Sequence, residues 1–465
     1  MSILLLIGVF YPKEGIKVYG HDFYFYSINS NNTKKETVSE AIITVNIDSL
    51  VQAAKQKKDS LDLVTKIIKQ KLLDSILLSQ KKIQYPNNNK SLLYSFFKKL
   101  DNAKTKKVRI MHYGDSQIEA DRITSRLRER LQKEFGGYGA GAFSVIPATR
   151  KLAIKTEHST NWKRKTGFGP YIDTAIKHKN YGALFAFSNY LTDSLVNTAK
   201  IDIFKPTKSY KHSRYYQELN LYYTNSDTNQ LTVLNEDSII FSDTLPITEK
   251  IKKLSFDLGS TPEHLVLQFR GLNSPLIYGL STEGKKGVVV DNIPLRGASG
   301  TEFSKIDYNG LKDMQSLLSP SLFILEFGGN SIPYMKSKES CERYGNWFKK
   351  QIQKLQKINP EAKFIIIGPG DMSTKQKTDL ITYPLLVDVR DALRDAALQT
   401  NSCFWDMYLN MGGENSIQDW AKEDPALAAK DYIHFTSLGA RKIADLFISD
   451  LMEDYKSYKS INKDE

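Results

Sequence analysis

Apolar runs, turns and helically spaced apolar residues alternate in two parts of the chain. Residues 108–111 form an apolar run of buried-strand type, residues 114–116 are a Gly-Asp-Ser turn, and apolar residues return at helical spacing over residues 118–131. The same alternation recurs from residue 286 onward, with further apolar runs at residues 288–290, 322–325, 364–367 and 403–405. Five strands separated by helices predict a doubly wound, flavodoxin-like α/β fold with a five-stranded parallel sheet and a ligand site at the strands' carboxyl ends.

The segment between these two parts has a different pattern. Short β-rich runs are spaced about ten residues apart and alternate with turn residues, as in β-sandwiches. The runs are residues 184–187, 201–204, 219–223, 231–234, 239–241, 254–256 and 265–269. We therefore predict a jelly-roll-like β-sandwich at 150–285, inserted into an α/β domain that comprises residues 101–149 and 286–460.

Residues 1–100 form a separate N-terminal segment, since 465 residues exceed what one compact core holds. Its first ten residues are apolar, without a basic start or a clear cleavage site, which fits either an atypical or truncated export signal or a buried strand. Residues 49–79 carry apolar positions every three or four residues and are predicted to be an amphipathic helix. A second helix, through residues 92–100, leads into the first strand of the α/β domain. No stretch reaches the roughly 18 apolar residues of a membrane-spanning helix.

Charge and composition exclude several classes of function. The net charge of +13 would suit an acidic partner, but the lysines are dispersed and no arginine-rich helix or nucleic-acid motif is present. The glycines at 136–141 follow a helix, whereas a dinucleotide cradle precedes one. Cys341 and Cys403 are predicted to be free thiols, and no Cys/His cluster has zinc spacing. We predict no cofactor, no metal and no nucleic-acid partner.

Candidate chemistry begins at the Gly-Asp-Ser turn. A serine between a strand end and a helix can cap the helix, but it can also be a nucleophile beside N–H groups that meet an oxyanion. A nucleophilic serine needs a base, and a base imidazole needs a carboxylate that holds its tautomer. Asp431 and His434, three residues apart and directly ahead of the last helix, can supply both. Together with Ser116 they predict a catalytic triad.

Two further loops follow buried-type strands of the same sheet. Gly297 and Gly300 follow residues 288–290, and Gly328 and Asn330 follow residues 322–325. A glycine in such a loop can present an unobstructed N–H group, and an asparagine can direct its amide at the same oxygen.

The order of these residues resembles that of the SGNH or GDSL hydrolases. Residues 114–116 resemble the first block of that family, Gly300 the second, residues 328–330 the third, and residues 431–434 the last. The resemblance implies a serine esterase with Ser116 as nucleophile, His434 as base and Asp431 as its orienting carboxylate. It also implies an oxyanion hole formed by the N–H groups of Ser116 and Gly300 and the amide of Asn330, with Gly297 as the alternative donor.

Two positions depart from the family pattern, because Gln117 replaces a leucine and Ser331 replaces an aspartate. Residues predicted to contact substrate are Asp115 and Gln117 at the turn, and Trp405 and Asp406 at the end of a strand. The large β-rich insert, the Gly-x-Asn-Ser sequence and the Trp-Asp strand are similar to bacterial peptidoglycan O-acetylesterases. This similarity implies an O-acetylated cell-wall glycan as substrate and an extracytoplasmic, periplasmic or envelope-associated location.

Several alternatives remain open at this level. The same residues serve an O-acetyltransferase when a sugar hydroxyl replaces water, and a non-catalytic glycan-binding scaffold could keep the sheet. The aromatic residues of the insert are either sugar-binding or structural: Trp162, Tyr171, Tyr210, Tyr215 and Tyr216. The oligomeric state does not follow from the sequence.

Overall fold

The computed structural model describes residues 16–18, 21–23, 60–149, 151–170, 172–192 and 198–461. It divides into two compact units, residues 1–71 and residues 72–465. The predicted export signal at residues 1–10 and the start of the predicted helix at residues 49–59 lie outside the described residues. In the first unit, two short strands pair antiparallel, with Ile16 opposite Phe23.

Strands are numbered in chain order. They are β1 (Ile16–Val18), β2 (His21–Phe23), β3 (Lys107–Gly114), β4 (Gly141–Phe143), β5 (Lys155–His158), β6 (Trp162–Thr166), β7 (Ala186–Tyr190), β8 (Thr198–Phe204), β9 (Glu218–Asn225), β10 (Asn229–Asn235), β11 (Ser238–Leu245), β12 (Thr248–Asp257), β13 (His264–Arg270), β14 (Leu276–Glu283), β15 (Gly287–Pro294), β16 (Pro320–Glu326), β17 (Lys363–Ile367), β18 (Ser373–Gln376), β19 (Asp379–Thr382) and β20 (Cys403–Trp405).

Helices are numbered in the same way. They are α1 (Ser60–Lys81), α2 (Tyr94–Asp101), α3 (Thr124–Phe135), α4 (Tyr308–Leu318), α5 (Lys338–Ile358), α6 (Leu386–Gln399), α7 (Met407–Met411), α8 (Ser416–Lys422) and α9 (Ser437–Ile461). No helix in the described part of the chain combines the length and the apolar character needed to cross a bilayer.

The second unit contains the predicted parallel sheet. Its strand order is β15-β3-β16-β17-β20, and every neighbouring pair is parallel. Counted along the chain, this is the order 2-1-3-4-5 of flavodoxin-like sheets, so the predicted fold class is confirmed. The register aligns Gly114 with both Pro294 and Glu326, which brings the carboxyl ends of three strands to one edge.

Both faces of this sheet are covered, as the continuous apolar runs of its strands require. All seven residues of β16 are buried. Helices α4, α5 and α6 contribute to the core on one face. Helices α2, α3, α8 and α9 contribute to the core on the other. Cys341 and Cys403 are buried free thiols, as predicted.

The insert is a sandwich of two antiparallel sheets. Their orders are β11-β10-β13-β8-β5 and β12-β9-β14-β7-β6, with β4 added beside β14, and side chains from both sheets share one core. The first of these strands, β4, precedes residue 150 and thus lies in the segment that the sequence assigned to the α/β domain. Tyr222 and Tyr278 of the sandwich pack into the core on one face of the parallel sheet. The insert is therefore packed against the sheet rather than held on a free linker.

Candidate active site

Ser116 stands at the carboxyl end of β3, the second strand of the parallel sheet. It begins a short 3-10 turn, Ser116–Asp121, and the Asp115 carboxylate caps this turn by accepting the Gln117 N–H at 2.9 Å. A side chain at Gly114 would lie 3.0 Å from the Glu326 carbonyl oxygen, so the glycine permits the sharp turn. Because Asp115 and not Ser116 caps this turn, the Ser116 hydroxyl is available for other hydrogen bonds.

The structure brings together the three residues of the predicted triad. Ser116 Oγ lies 2.8 Å from His434 Nε2, and His434 Nδ1 lies 2.7 Å from Asp431 Oδ2. The side chains of His434 and Asp431 are 33% and 48% exposed, so substrate can reach them. Ser116 and His434 are 318 positions apart in the sequence, and the fold brings them together because β3 ends beside the loop that precedes α9.

Hydrogen bonds hold the Asp431 carboxylate in its charged form. Its second oxygen accepts the N–H groups of Ile433 and His434, both at 3.0 Å. Burial raises the pKa of Asp431, but the backbone and side-chain hydrogen bonds from His434 outweigh it and leave that pKa below its usual value. A charged Asp431 favours a proton on Nδ1 and leaves Nε2 free to accept one from serine.

Gln117 and Arg122 join the serine turn to the histidine loop. Gln117 donates from Nε2 to the Ile433 carbonyl at 2.6 Å and accepts the Phe435 N–H at 3.3 Å. Arg122 donates to the carbonyls of Ser116 and Phe435. Each residue thus contacts the chain on both sides of the catalytic pair, and both ends of the Gln117 amide are occupied by the protein.

Asn330 lies beside the glycine loop predicted to complete the oxyanion hole. Its Nδ2 donates to the Ala298 carbonyl at 3.1 Å, and a side-chain amide has a second N–H for another acceptor. Ser331, in place of the family's aspartate, donates to the Gly328 carbonyl at 2.7 Å and closes the turn that presents Asn330.

The two candidate glycines differ in surroundings. Gly300 is buried at φ +78°, and a Cβ there would lie 2.5 Å from the Phe348 ring and 2.9 Å from that of Phe327. Gly297 has a similar φ, +77°, but is exposed with open space around it. Neither glycine lines the cleft beside the serine, whereas Phe327 and Asn330 do. Gly300 as oxyanion donor therefore stays a prediction.

The cleft at Ser116 holds about 200 Å³. Asn330 and Tyr334 line it from the loop after β16, and His434 and Ile433 from the loop before α9. The loop after β17 contributes Gly368, Pro369, Gly370, Asp371 and Met372. A site of this size suits a small acyl group on a larger molecule that remains outside.

Buried acids form the floor of this cleft. Asp115 is 4% exposed, and burial raises its pKa to about 7, helped by the negative charges of Glu326 and Glu119 and opposed by the Gln117 N–H and by Arg122. Glu326 contacts His112 Nε2 at 3.1 Å through one oxygen. Its other oxygen is buried without a hydrogen-bond partner among the described residues. Asp115 is therefore a structural cap and a titrating group beside Ser116.

Two residues predicted to contact substrate lie elsewhere. Trp405 is fully buried and donates from its indole nitrogen to Asp450 at 2.9 Å. Asp406 is 1% exposed, caps α7 by accepting the Leu409 N–H at 2.9 Å, and faces Arg390 at 3.6 Å. The end of β20 therefore supports the core, and of this segment only the next residue, Met407, reaches the cleft.

The structure describes four of the five aromatic residues singled out in the insert, and two of these are buried. Tyr210 is partly buried, with the Arg126 guanidinium 6.0 Å from its ring centroid. Trp162 and Tyr216 are buried in the sandwich core, while Tyr215 is 42% exposed and lies under the Lys205 ammonium group. Tyr171 lies outside the described residues.

Sequence reasoning missed Arg122, Glu326 and Tyr334. Arg122 lies on the helical stretch after the serine, where an arginine is ordinarily solvated. Glu326 ends an apolar strand, and a charged residue there was a usable signal. Tyr334 carried no signal, since an aromatic after a Gly-Gly-Asn-Ser loop packs inside as readily as it faces solvent. Among the described residues, no group of three His, Cys, Asp or Glu side chains is placed to hold a metal ion.

Comparisons with known proteins agree with the predicted family. Residues 273–442 match the model of the GDSL-like Lipase/Acylhydrolase family. This segment contains the predicted second, third and last blocks, and the insert separates it from the serine turn. No curated protein matches the chain.

Solved structures are similar to the chain at low sequence identity. A peptidoglycan O-acetylesterase matches with a TM-score of 0.62 and 21% identity, over 79% of this chain and 98% of that chain. An acetyl xylan esterase matches with a TM-score of 0.27 and 18% identity, over 35% of this chain and 80% of that chain. A family two carbohydrate esterase from Clostridium thermocellum matches with a TM-score of 0.25 and 8% identity, over 56% of this chain and 93% of that chain. Of these three matches, only that to the peptidoglycan O-acetylesterase is strong enough to support the fold described above.

The family match covers three of the four blocks, and the fold brings Ser116 of the remaining block to the same site. The α/β domain of this chain therefore has the fold of an SGNH-type serine esterase, and its residues 273–442 match the GDSL-like acylhydrolase family.

Proposed function

We propose that this chain removes O-acetyl groups from a cell-wall glycan, peptidoglycan, through an acyl-enzyme on Ser116. The observation that carries the proposal is the continuous hydrogen-bonded line from Ser116 Oγ through His434 to Asp431, open to a cleft at the carboxyl edge of the sheet.

In the first step Ser116 Oγ attacks the acetyl carbonyl carbon. The serine proton passes to His434 Nε2, and the new imidazolium is stabilised by Asp431, which keeps its charge because of its lowered pKa. The carbonyl oxygen becomes an oxyanion that accepts the free N–H of Asn330 and the backbone N–H groups of Ser116 and Gly300. When this intermediate collapses, His434 returns the proton to the departing sugar oxygen, and an acetyl-serine remains.

In the second step water replaces the sugar. His434 Nε2 takes a proton from the water as its oxygen attacks the acetyl-serine, and the same donors hold the second oxyanion. Collapse of this intermediate breaks the bond to Ser116 Oγ, which receives the proton from His434, and acetate leaves.

The choice of substrate rests on two features. The cleft has a volume of about 200 Å³, which suits a small acyl group, and the His434 side chain at its edge is 33% exposed, as an acetyl ester on a polymer requires. The similar peptidoglycan O-acetylesterase shares the fold over 79% of this chain. The chain outside the insert is shorter than that, so the match includes part of the insert. Since peptidoglycan lies outside the cytoplasmic membrane, the proposed location is extracytoplasmic.

The test is acetate release from O-acetylated peptidoglycan. Native protein should release acetate, and Ser116→Ala should lose at least about a thousandfold in kcat while keeping its fold. Dominant acetyl transfer to an added glycan acceptor would make the protein an O-acetyltransferase instead. Equal activity of Ser116→Ala and native protein would contradict the nucleophile, and a biological role unaffected by this change would indicate a non-catalytic glycan-binding scaffold.

A further inference from the structure

Tyr334 is an exposed aromatic residue on the rim of the catalytic cleft. Its side chain is 79% exposed, and it lines the same cleft as Ser116 and His434. It follows Asn330 by only four positions, so the ring is tied closely to the group that receives the acetyl oxygen. Large aromatic side chains are usually at least partly covered, and an exposed one beside an active site requires an explanation.

The backbone under Tyr334 is held firmly. Residues 332–334 form a 3-10 turn with proline as its second residue, which restricts the backbone. The Tyr334 N–H donates to the Ser331 carbonyl at 3.0 Å, and the Met335 N–H donates to the Ile332 carbonyl at 3.1 Å. Ile332 is buried in the core and anchors the turn. The ring is therefore presented from a fixed position.

The ring has no structural role that the fold reveals. Within the part of the chain that the structure describes, the Tyr334 hydroxyl has no hydrogen-bond partner, and no aromatic or cationic side chain contacts the ring. The neighbouring Tyr344 shows the contrast, since it is buried and donates to the Ser299 carbonyl at 2.6 Å.

The loop after β17 lines the same cleft as Tyr334. Gly368, Pro369 and Gly370 contribute little side-chain bulk to this lining, and Met372 and Met407 add flexible apolar surface. A sugar ring presents C–H groups on its faces and hydroxyls at its edges, so its face can lie on an aromatic ring while its edges stay in water. A long acyl chain would instead need an enclosed apolar channel.

We propose that Tyr334 is the stacking platform of a sugar subsite, on which a ring of the glycan lies while its acetyl group enters the cleft. This inference rests on the proposed glycan substrate, and it adds the surface that recognises the sugar. The platform acts on binding of the polymer and takes no part in proton transfer.

Kinetics on two substrates tests the platform. For Tyr334→Ala we expect KM on an O-acetylated tetrasaccharide of N-acetylglucosamine and N-acetylmuramic acid to rise roughly tenfold, with kcat nearly unchanged. Turnover of 4-nitrophenyl acetate, which has no sugar, should stay within about twofold. Tyr334→Phe and Tyr334→Trp should keep the native KM, because both retain a ring.

Trp347 supplies a matched control. It is 57% exposed on α5 and does not line the cleft, so Trp347→Ala should leave both substrates unaffected. An unchanged KM of Tyr334→Ala on the tetrasaccharide, or an equal loss on both substrates, would contradict the platform.

Binding measurements separate this inference from the proposed function. The unacetylated tetrasaccharide is titrated calorimetrically into Ser116→Ala and into the same protein with Tyr334→Ala. Weaker binding of the second protein supports the platform even if native protein releases no acetate. The absence of acetate release would contradict only the proposed function. Equal binding by both proteins, or no binding by either, would overturn the platform.

Discussion

Asp115, the residue before Ser116, supports the local fold but lowers the stability of the protein at neutral pH. It caps the serine turn, yet it is buried near Glu326 and Glu119, and its pKa rises to about 7. A carboxyl group whose pKa is higher in the folded than in the unfolded protein binds more protons when folded. Its contribution to stability is therefore complete below its unfolded pKa near 4 and is lost as the pH rises through 7.

We expect Asp115→Asn to flatten this part of the pH profile. Asparagine keeps an oxygen that accepts the Gln117 N–H but carries no charge, so the free energy of unfolding should no longer fall between about pH 4 and 7. The gain over native protein at pH 8 is expected to be on the order of a few kcal/mol. Urea unfolding across this pH range measures it, with the exposed Asp243→Asn as the control. A parallel pH profile for native protein and Asp115→Asn would contradict the raised pKa.

Gly300 and Gly297 are two residues whose backbone conformations match and whose surroundings differ. Both have φ near +78°, so alanine is strained at either position by about 1 kcal/mol, but only Gly300 would press a methyl group into Phe348 and Phe327. We expect Gly300→Ala to lower kcat on an aryl acetate about a hundredfold, since it displaces the predicted oxyanion donor. Gly297→Ala should keep most of the native kcat. The reverse order of the two variants would assign the donor to Gly297.

At the scale of elements, the relative position of Ser116 and His434, the proposed nucleophile and base, depends on a contact between two loops. Gln117 donates to Ile433 and accepts from Phe435, while Arg122 joins Ser116 and Phe435. The loop before α9, residues 423–436, contains no helix or extended strand. These bonds therefore fix the His434 imidazole relative to the Ser116 hydroxyl.

Gln117→Leu places the family's usual residue at this position and removes both bonds to the histidine loop. We expect kcat on an aryl acetate to fall about tenfold with little change in KM, because the geometry of proton transfer changes while the cleft does not. Gln117→Glu retains the acceptor for the Phe435 N–H and should recover part of the loss. A rise in KM alone would instead make Gln117 a substrate contact, as its position in the sequence suggested.

At the scale of the whole molecule, a buried ion-pair network joins the sandwich to the parallel sheet. Arg109 of β3 donates to Glu283 of β14 and to Asp291 of β15, the latter at 2.6 Å. Burial raises the pKa of Glu283, but Arg109 and Lys107 outweigh it and hold that pKa at about 2. A lowered folded pKa adds stability above the unfolded value near 4.5, and this stability is lost as the pH falls through 2.

Arg109→Met should lower the free energy of unfolding by about 3–5 kcal/mol at pH 7, since it removes the cation from the buried Asp291 and leaves Glu283 with Lys107 alone. The loss should shrink as the pH falls from 4.5 toward 2, where Glu283 becomes protonated. Thermal unfolding at several pH values measures both effects, and the half-exposed Arg126→Met is the control. A loss that does not change with pH would assign the effect to packing instead of charge.

The sequence alone determined the parts of this protein that depend on local periodicity. Apolar runs and helical spacing identified the five parallel strands, and the spacing of β-rich runs identified the sandwich. When one face of a strand or helix is buried, the apolar residues recur along the sequence with the period of that element. The family order of blocks also singled out Ser116, Asp431 and His434.

Only the tertiary structure decided which side chains reach the cleft. Trp405 and Asp406 end a strand at the predicted edge, yet they are turned into the core, and Tyr334 and Arg122 reach the site from positions without a signal. Periodicity shows which residues are buried, but it does not show which distant segment buries them or which side chain remains facing solvent. That depends on packing between elements hundreds of residues apart. The order of blocks could therefore single out Ser116, Asp431 and His434, but not the side chains that surround them.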